Sequence, residues 1–183
     1  SSTNSASVRT ISAPFTQNTA ISAKSYSEGG AIYANQSNIT TITATFTDNM
    51  SQGLTYAKGG AIANYGVITS IDTPNNATYL FSENETRAIG TARTNYAYGG
   101  ALFNAGTIES INGNIINNTA FSNASNAYGG AIYNEGTIGA ISGSLKNNIV
   151  SGKTDALGGA IYSTENIRLL ADGNNFEITN NQV

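Results

Sequence analysis

The chain has 183 residues, and only 10% of them are charged: eight Lys and Arg against eleven Asp and Glu, a formal net charge of -3. The basic residues are scattered singly, so no Lys/Arg stripe can track a phosphate backbone, and nucleic acid is not an expected partner. Histidine and cysteine are both absent, which excludes His-based triads, the commonest metal ligand, thiolate metal sites and a disulfide framework.

The first predicted elements form an incomplete unit. Residues 7–20 (SVRTISAPFTQNTA) align without gaps on residues 107–120 (TIESINGNIINNTA), so the chain begins partway through a repeat. This opening unit carries an apolar pair, Val8/Ile11, then Phe15 with Asn18 three positions later. From there the chain says Gly-Gly-Ala-aliphatic five times, at Gly29–Ile32, Gly59–Ile62, Gly99–Leu102, Gly129–Ile132 and Gly158–Ile161. The first glycines are 30, 40, 30 and 29 residues apart. After each copy comes an apolar pair: Ile39/Ile42, Ile68/Ile71, Ile108/Ile111, Ile138/Ile141 and Ile167/Leu170. A bulky residue with Asn at +3 follows, as Phe46/Asn49, Phe81/Asn84, Ile115/Asn118 and Leu145/Asn148. The last copy departs, because Phe176 has Thr179 at that offset and Asn180 one further on. The 40-residue spacing comes from two inserts, one near Thr73–Asn76 and one near Ala88–Asn95.

A supersecondary unit of about 30 residues that recurs along a chain makes a stacked, quasi-one-dimensional protein. The apolar stretches are too short for helices, lack a 3.6-residue period, and are separated by Gly, Asn, Ser and Thr. Three short strands per unit predict an all-β, right-handed parallel β-helix of about six coils, in one domain over residues 1–183. Ile132 is expected to point inward, stacked on Ile32, Ile62, Leu102 and Ile161, with Ala131 and Tyr133 outward; the opposite register is the alternative. Period-two alternation puts Ile111, Gly113 and Ile115 on one inward face, and Ile141, Gly143 and Leu145 likewise. Two asparagine ladders are expected along the rod, Asn18/Asn49/Asn84/Asn118/Asn148 and Asn35/Asn64/Asn104/Asn134 with Ser163. Ser1-Ser2-Thr3-Asn4 is not a signal peptide, and an excerpt from a longer exported protein is the expectation.

The pairing of GGA[ILV] with FxxN resembles the repeats of polymorphic outer-membrane proteins of chlamydiae, and more broadly the passenger domains of bacterial autotransporters. Five GGA[IL] copies and three literal FxxN copies, at Phe15, Phe46 and Phe81, carry the match. The resemblance implies a right-handed β-helix displayed on a bacterial surface, usually as an adhesin, and translocated by a C-terminal β-barrel that nothing here resembles. The lack of cysteine departs from many chlamydial members and favours the wider autotransporter group.

The search for chemistry returns no catalytic residue, no metal site and no cofactor motif. No GxSxG and no phosphate loop occurs. The carboxylates mostly occupy turn or outward positions; Glu135 and Glu165, in neighbouring coils, could approach each other, and Glu83 and Glu85 beside Arg87 read as a surface ion pair. The frequent N-x-Ser/Thr sequons arise from composition and imply no glycosylation.

Candidate binding residues fall in two groups. One is an outward aromatic row, Tyr33, Phe103, Tyr133 and Tyr162, interrupted by Ala63 and accompanied by Tyr26, Tyr56, Tyr98 and Tyr128 ahead of the glycines. A stacked ladder is the structural explanation, and a face for a glycan or protein is the functional one. The other group is the two inserted loops, near residues 73–80 and 86–98, the second carrying Arg87, Arg93 and Tyr96. The expected function is a surface-displayed or secreted adhesin repeat region without enzymatic activity, contacting a host protein, a glycan or other copies of itself, with membrane attachment only through a barrel outside this chain. A structural stalk and a polysaccharide-active β-helix enzyme are the rivals.

Overall fold

The computed structural model describes residues 6–170 and 176–183. The four residues read as no signal peptide, Ser1 to Asn4, lie outside the described residues. Every strand pairing is parallel and joins one coil to the next. The described residues contain no helix, and the strands stack as a solenoid of about six turns.

Four sheets, not three, run along the rod. The first holds the GGA strands and the Ile pairs together, continuous as Ile32–Thr43 and Ile62–Asp72 and divided in later coils, as in Leu102–Asn104 and Thr107–Asn112. The second is the Phe/Ile/Leu row from Phe15–Thr16 to Ile178–Thr179. The third (Thr19–Ile21 to Ile149–Gly152) and fourth (Ser27–Glu28 to Ala156–Leu157) close the coil.

The division of the core explains the third and fourth sheets. Between the first and second sheets lies a wide core of stacked Ile, Leu and Phe, including Ile62, Leu102, Ile132, Phe46 and Phe81, all fully buried. Between the third and fourth lies a narrow core of Ala88, Ala97, Ala120, Ala127 and Val150. There the sheets converge so closely that mostly small residues fit, and hydroxyls share the space: Ser51 Oγ donates to Ser27 Oγ at 3.0 Å, while the fully buried Thr86 Oγ1 has no hydrogen-bond partner among the described residues. Alanine and serine give little hydrophobic periodicity, so these strands carried no signal.

Ile132 points inward, as expected, on a column with Ile62, Leu102 and Ile161. Ala131 does not face out. It is fully buried in the same core, because the chain bends at this point: the amides of Ala131 and Ile132 both donate to Ala160 O, at 2.9 and 3.0 Å. Alternation also fails between Ile111 and Ile115. Both are buried, but a corner separates them at Gly113, whose φ is 153°. The glycine pair has two separate duties. Gly99 takes a left-handed φ of 64°, and a Cβ on Gly100 would stand 2.1 Å from Gly130 O in the next coil.

The corner between the second and third sheets is built alike in each described coil. The residue before the ladder asparagine is left-handed: Gln17, Asp48, Glu83, Asn117, Asn147 and Asn180, with φ from 55° to 59°. That conformation costs a non-glycine residue about 1–2 kcal/mol, and the asparagine beside it offsets the cost. Asn49 Nδ2 donates to Asn84 Oδ1 at 2.8 Å, Asn84 to Asn118 at 2.9 Å and Asn118 to Asn148 at 3.0 Å. Each Oδ1 also accepts the backbone N–H of the asparagine one coil earlier, as Asn84 Oδ1 does from Asn49 N at 3.1 Å. The ladder begins at Asn18 and continues to Asn181, since Ile178 pairs with Leu145 and Asn148 Nδ2 donates to Asn181 Oδ1 at 2.9 Å. The last unit therefore keeps the motif as Ile178/Asn181, and Phe176 packs elsewhere on the core.

The second ladder is shorter than expected. Asn64, Asn104 and Asn134 bond in sequence and end on Ser163 Oγ. Asn35 is not a member: Ala34 pairs with Asn64, a register shift follows between Asn35 and Asn38, and Asn35 is exposed. In the final coil Leu169, not Leu170, pairs with Ile141.

Because Asn84 donates to Phe46 O and Asn118 and accepts from Asn49, Asn84→Ala strands several buried polar groups at once. We expect a loss of about 3 kcal/mol or more in denaturant unfolding. The exposed Ser151→Ala variant serves as reference, and equal stability of the two would rule out the ladder as a stabilising element.

Candidate functional site: the outer aromatic cleft and the inserted loops

On the outside of the solenoid, the Gly-Gly-Ala corner brings the fourth sheet toward the first, so outward side chains on either side of it converge. Phe103, Tyr133 and Tyr162 stack along the rod with centroids 5.4 Å apart and planes within 4° and 8°. From the facing strand, Tyr98 meets Tyr133 edge-on at 4.8 Å and Tyr128 meets it at 6.0 Å. The result is a second hydrophobic cluster outside the coil. Phe103 is 1% and Tyr133 9% exposed, so these rings hold the cleft closed instead of offering a face. Tyr162 is half-buried, and Tyr33 is 51% exposed.

Ala63 does not interrupt the row. Tyr65, two residues on, fills the vacancy between Tyr33 at 5.7 Å and Phe103 at 5.4 Å. The tyrosines ahead of the glycines form two columns two residues apart, not one: Tyr56 pairs with Tyr96, while Tyr98 pairs with Lys58 and Tyr128.

Among the described residues, Lys58 and its column neighbour Glu28 make the charged pair inside the cleft. Lys58 Nζ lies 3.4 Å from Glu28 Oε1, donates to Tyr65 OH at 2.7 Å and sits 4.2 Å above the Phe103 ring. Tyr65 OH in turn donates to Glu28 Oε1 at 2.6 Å. Burial first, then the bond to Glu28, pushes the Tyr65 phenol far above its ordinary value; burial raises Tyr98, and burial with the Glu135 charge raises Tyr133. The Tyr133 hydroxyl donates to Glu135 Oε2 at 3.2 Å, and Asn126 Nδ2 donates to Tyr128 OH at 2.8 Å. The cleft's polar groups thus answer one another.

The second group is dispersed. Eight residues, 73–80, join strands Ile62–Asp72 and Phe81–Ser82, where two join Thr107–Asn112 to Ile115–Ile116. Seven residues, 89–95, form the other insert. Arg93 is exposed on that loop. Arg87 and Tyr96 stand on the strands that flank it, Glu85–Ala88 and Tyr96–Tyr98, each in register with its neighbours. Arg87 Nε lies 3.6 Å from Glu85 Oε1, the ion pair expected from sequence, and its guanidinium lies 5.9 Å from the Phe121 ring. Burial raises the Glu85 carboxyl despite Arg87. Among the described residues no group of three or more carboxylates could hold a metal ion. The sequence reading missed Lys58, Glu28 and Tyr65, which lack a repeating neighbour in register; Tyr79 belongs to the first inserted loop, which the sequence did single out.

The family model of the Chlamydia polymorphic membrane protein repeat matches residues 15–35. The match starts at Phe15 of the second sheet, includes Asn18 at the head of the ladder and takes in the first Gly-Gly-Ala corner. No curated protein and no solved structure matches the chain.

The raised phenols set a direction for alkaline behaviour. Below about pH 10 they are neutral in both folded and unfolded chains, and their packing contribution is intact. Above it the unfolded chain ionises first, so stability falls as pH rises. We expect a Tm that holds to about pH 9 and then drops, with the tyrosinate absorbance of Tyr65, Tyr98 and Tyr133 appearing only on unfolding. All ten tyrosines ionising together in the folded protein would contradict the closed cleft.

Proposed function

We propose that this chain is part of an autotransporter-type passenger: a non-enzymatic β-solenoid held at a bacterial outer-membrane surface and used for attachment. One observation carries the reading. The segment that matches the polymorphic membrane protein repeat is part of the unit that the solenoid stacks, and paired positions in the later coils repeat its Phe/Ile/Leu, Asn and Gly-Gly-Ala positions. Such a scaffold fixes its inward residues tightly and leaves its loops free to vary, which is the usual division between framework and binding surface. The partner would be a host surface protein, a glycan or another copy of the chain, and membrane attachment would come through a barrel outside this chain.

A purely structural stalk is the second reading. It is favoured by the cleft, where Phe103 and Tyr133 are covered and the hydroxyls bond internally. The two readings differ in one experiment. Beads coated with the purified chain should adhere saturably to cultured epithelial cells, and free chain should compete. Adhesion no greater than that of beads carrying an unrelated β-solenoid would leave the stalk reading in its place.

A further inference from the structure

The loop 73–80 makes a ridge on the corner between the first and second sheets, and it is firmly held. Thr73 N and Oγ1 both donate to Asn112 O, at 2.9 and 3.1 Å, and Ala77 N closes a turn on Pro74 O at 3.0 Å. Leu80 is fully buried. Asn114 ties the ridge to the coil, since its Nδ2 donates to Thr78 O at 2.9 Å while its Oδ1 accepts from Ser144 N at 3.0 Å.

Against the C-terminal flank of this ridge lies a groove of about 260 Å³, lined by Tyr79, Asn114, Ile116, Ser144, Lys146 and Asn147. Tyr79 is 44% exposed. Among the described residues, the Tyr79 and Ser144 hydroxyls and the Asn147 side-chain amide make no hydrogen bond within the chain. The aromatic cleft offers the opposite case, with rings packed against rings and its principal polar groups engaged. The groove combines an accessible ring, a small apolar floor at Ile116 and several uncommitted donors and acceptors on a rigid support. That is the chemistry of a site for a small polar ligand with one apolar face.

We propose that this groove binds a neutral saccharide, with the apolar face of one sugar ring laid on Tyr79 and its hydroxyls bonded to Ser144 and Asn147. The charge pattern selects the neutral class. The only charged group lining the groove, Lys146, is paired with Glu177, so it offers no net field to a sulfated or acidic sugar. The size suits a short saccharide, since the groove lies below the usual range for drug-sized ligands, about 300–1,000 Å³. This assignment rests on the attachment reading above and gives it a ligand class and an address.

The test is a glycan array carrying neutral hexose- and N-acetylhexosamine-terminated oligosaccharides beside sialylated and sulfated ones, probed with the whole chain. Calorimetric titration with the strongest neutral probe follows. Tyr79→Ala should weaken binding by about tenfold or more, while Tyr79→Phe, which keeps the ring, should stay within about threefold. Ser144→Ala and Asn147→Gly should each cost about threefold to tenfold; glycine keeps the left-handed backbone at 147, where φ is 55°. An unchanged Tm in each variant separates binding from folding. Neutral-glycan binding untouched by Tyr79→Ala, binding confined to charged glycans, or no glycan binding would each overturn the assignment. Cell adhesion by the unmodified chain without any glycan binding removes this site and keeps the attachment reading. Adhesion absent from the unmodified chain removes the attachment reading itself.

Discussion

Stacking at about 4.8 Å is the constraint from which the rest follows. Each residue in a coil has its counterpart directly above and below, so a side chain can occupy a column only if it tolerates a near copy of itself at that distance. Aliphatic and aromatic groups do so by contact, as Phe15, Phe46 and Phe81 do with centroids 5.0 Å apart. Asparagine does so because its amide is donor and acceptor at once, and each oxygen in the long ladder receives both a side-chain and a backbone N–H from the coil before it. Aspartate in the same column would place like charges in contact. Glycine at the corner does so by removing the atom that would collide with the next coil's carbonyl.

Columns of this kind are legible in a single sequence to the degree that their residues are distinctive. Ile39, Ile68, Ile108 and Ile138 recur 29, 40 and 30 residues apart, and they pair one coil to the next as the repeat implies. The third and fourth sheets were illegible because their narrow core is filled mainly by Ala and Ser, which occur everywhere in this chain. Register is also hidden wherever the chain inserts a residue without changing its chemistry. Asn35 looks like a ladder member until the bulge after it is known, and Tyr96 and Tyr98 are equally plausible partners of Tyr56 until the pairing decides.

The candidate surfaces divide along the same line. Residues chosen for their repetition, such as Phe103 and Tyr133, are repeated because they stack, and stacking buries them. Residues that escape the repeat, Tyr79 among them, are free of that demand and keep their exposed rings and unpaired polar groups. Periodicity therefore locates the scaffold, and departures from periodicity locate the places where the scaffold can meet something else.

The Glu28–Lys58 pair has a consequence for how the chain finds its own order. Near-identical coils invite a misalignment in which one coil skips its neighbour and docks on the next, with most columns still satisfied. The fourth-sheet column reads Glu28, Lys58, Tyr98, Tyr128, Leu157 and so is not interchangeable. A skipped coil would set Glu28 against Tyr98 and leave both charges without a counter-ion in a partly buried cleft, and breaking a buried pair in that way costs about 3–5 kcal/mol. Two adjacent charges thus act as an index mark: in a chain built from repetition, they tell the first coils which neighbour is theirs.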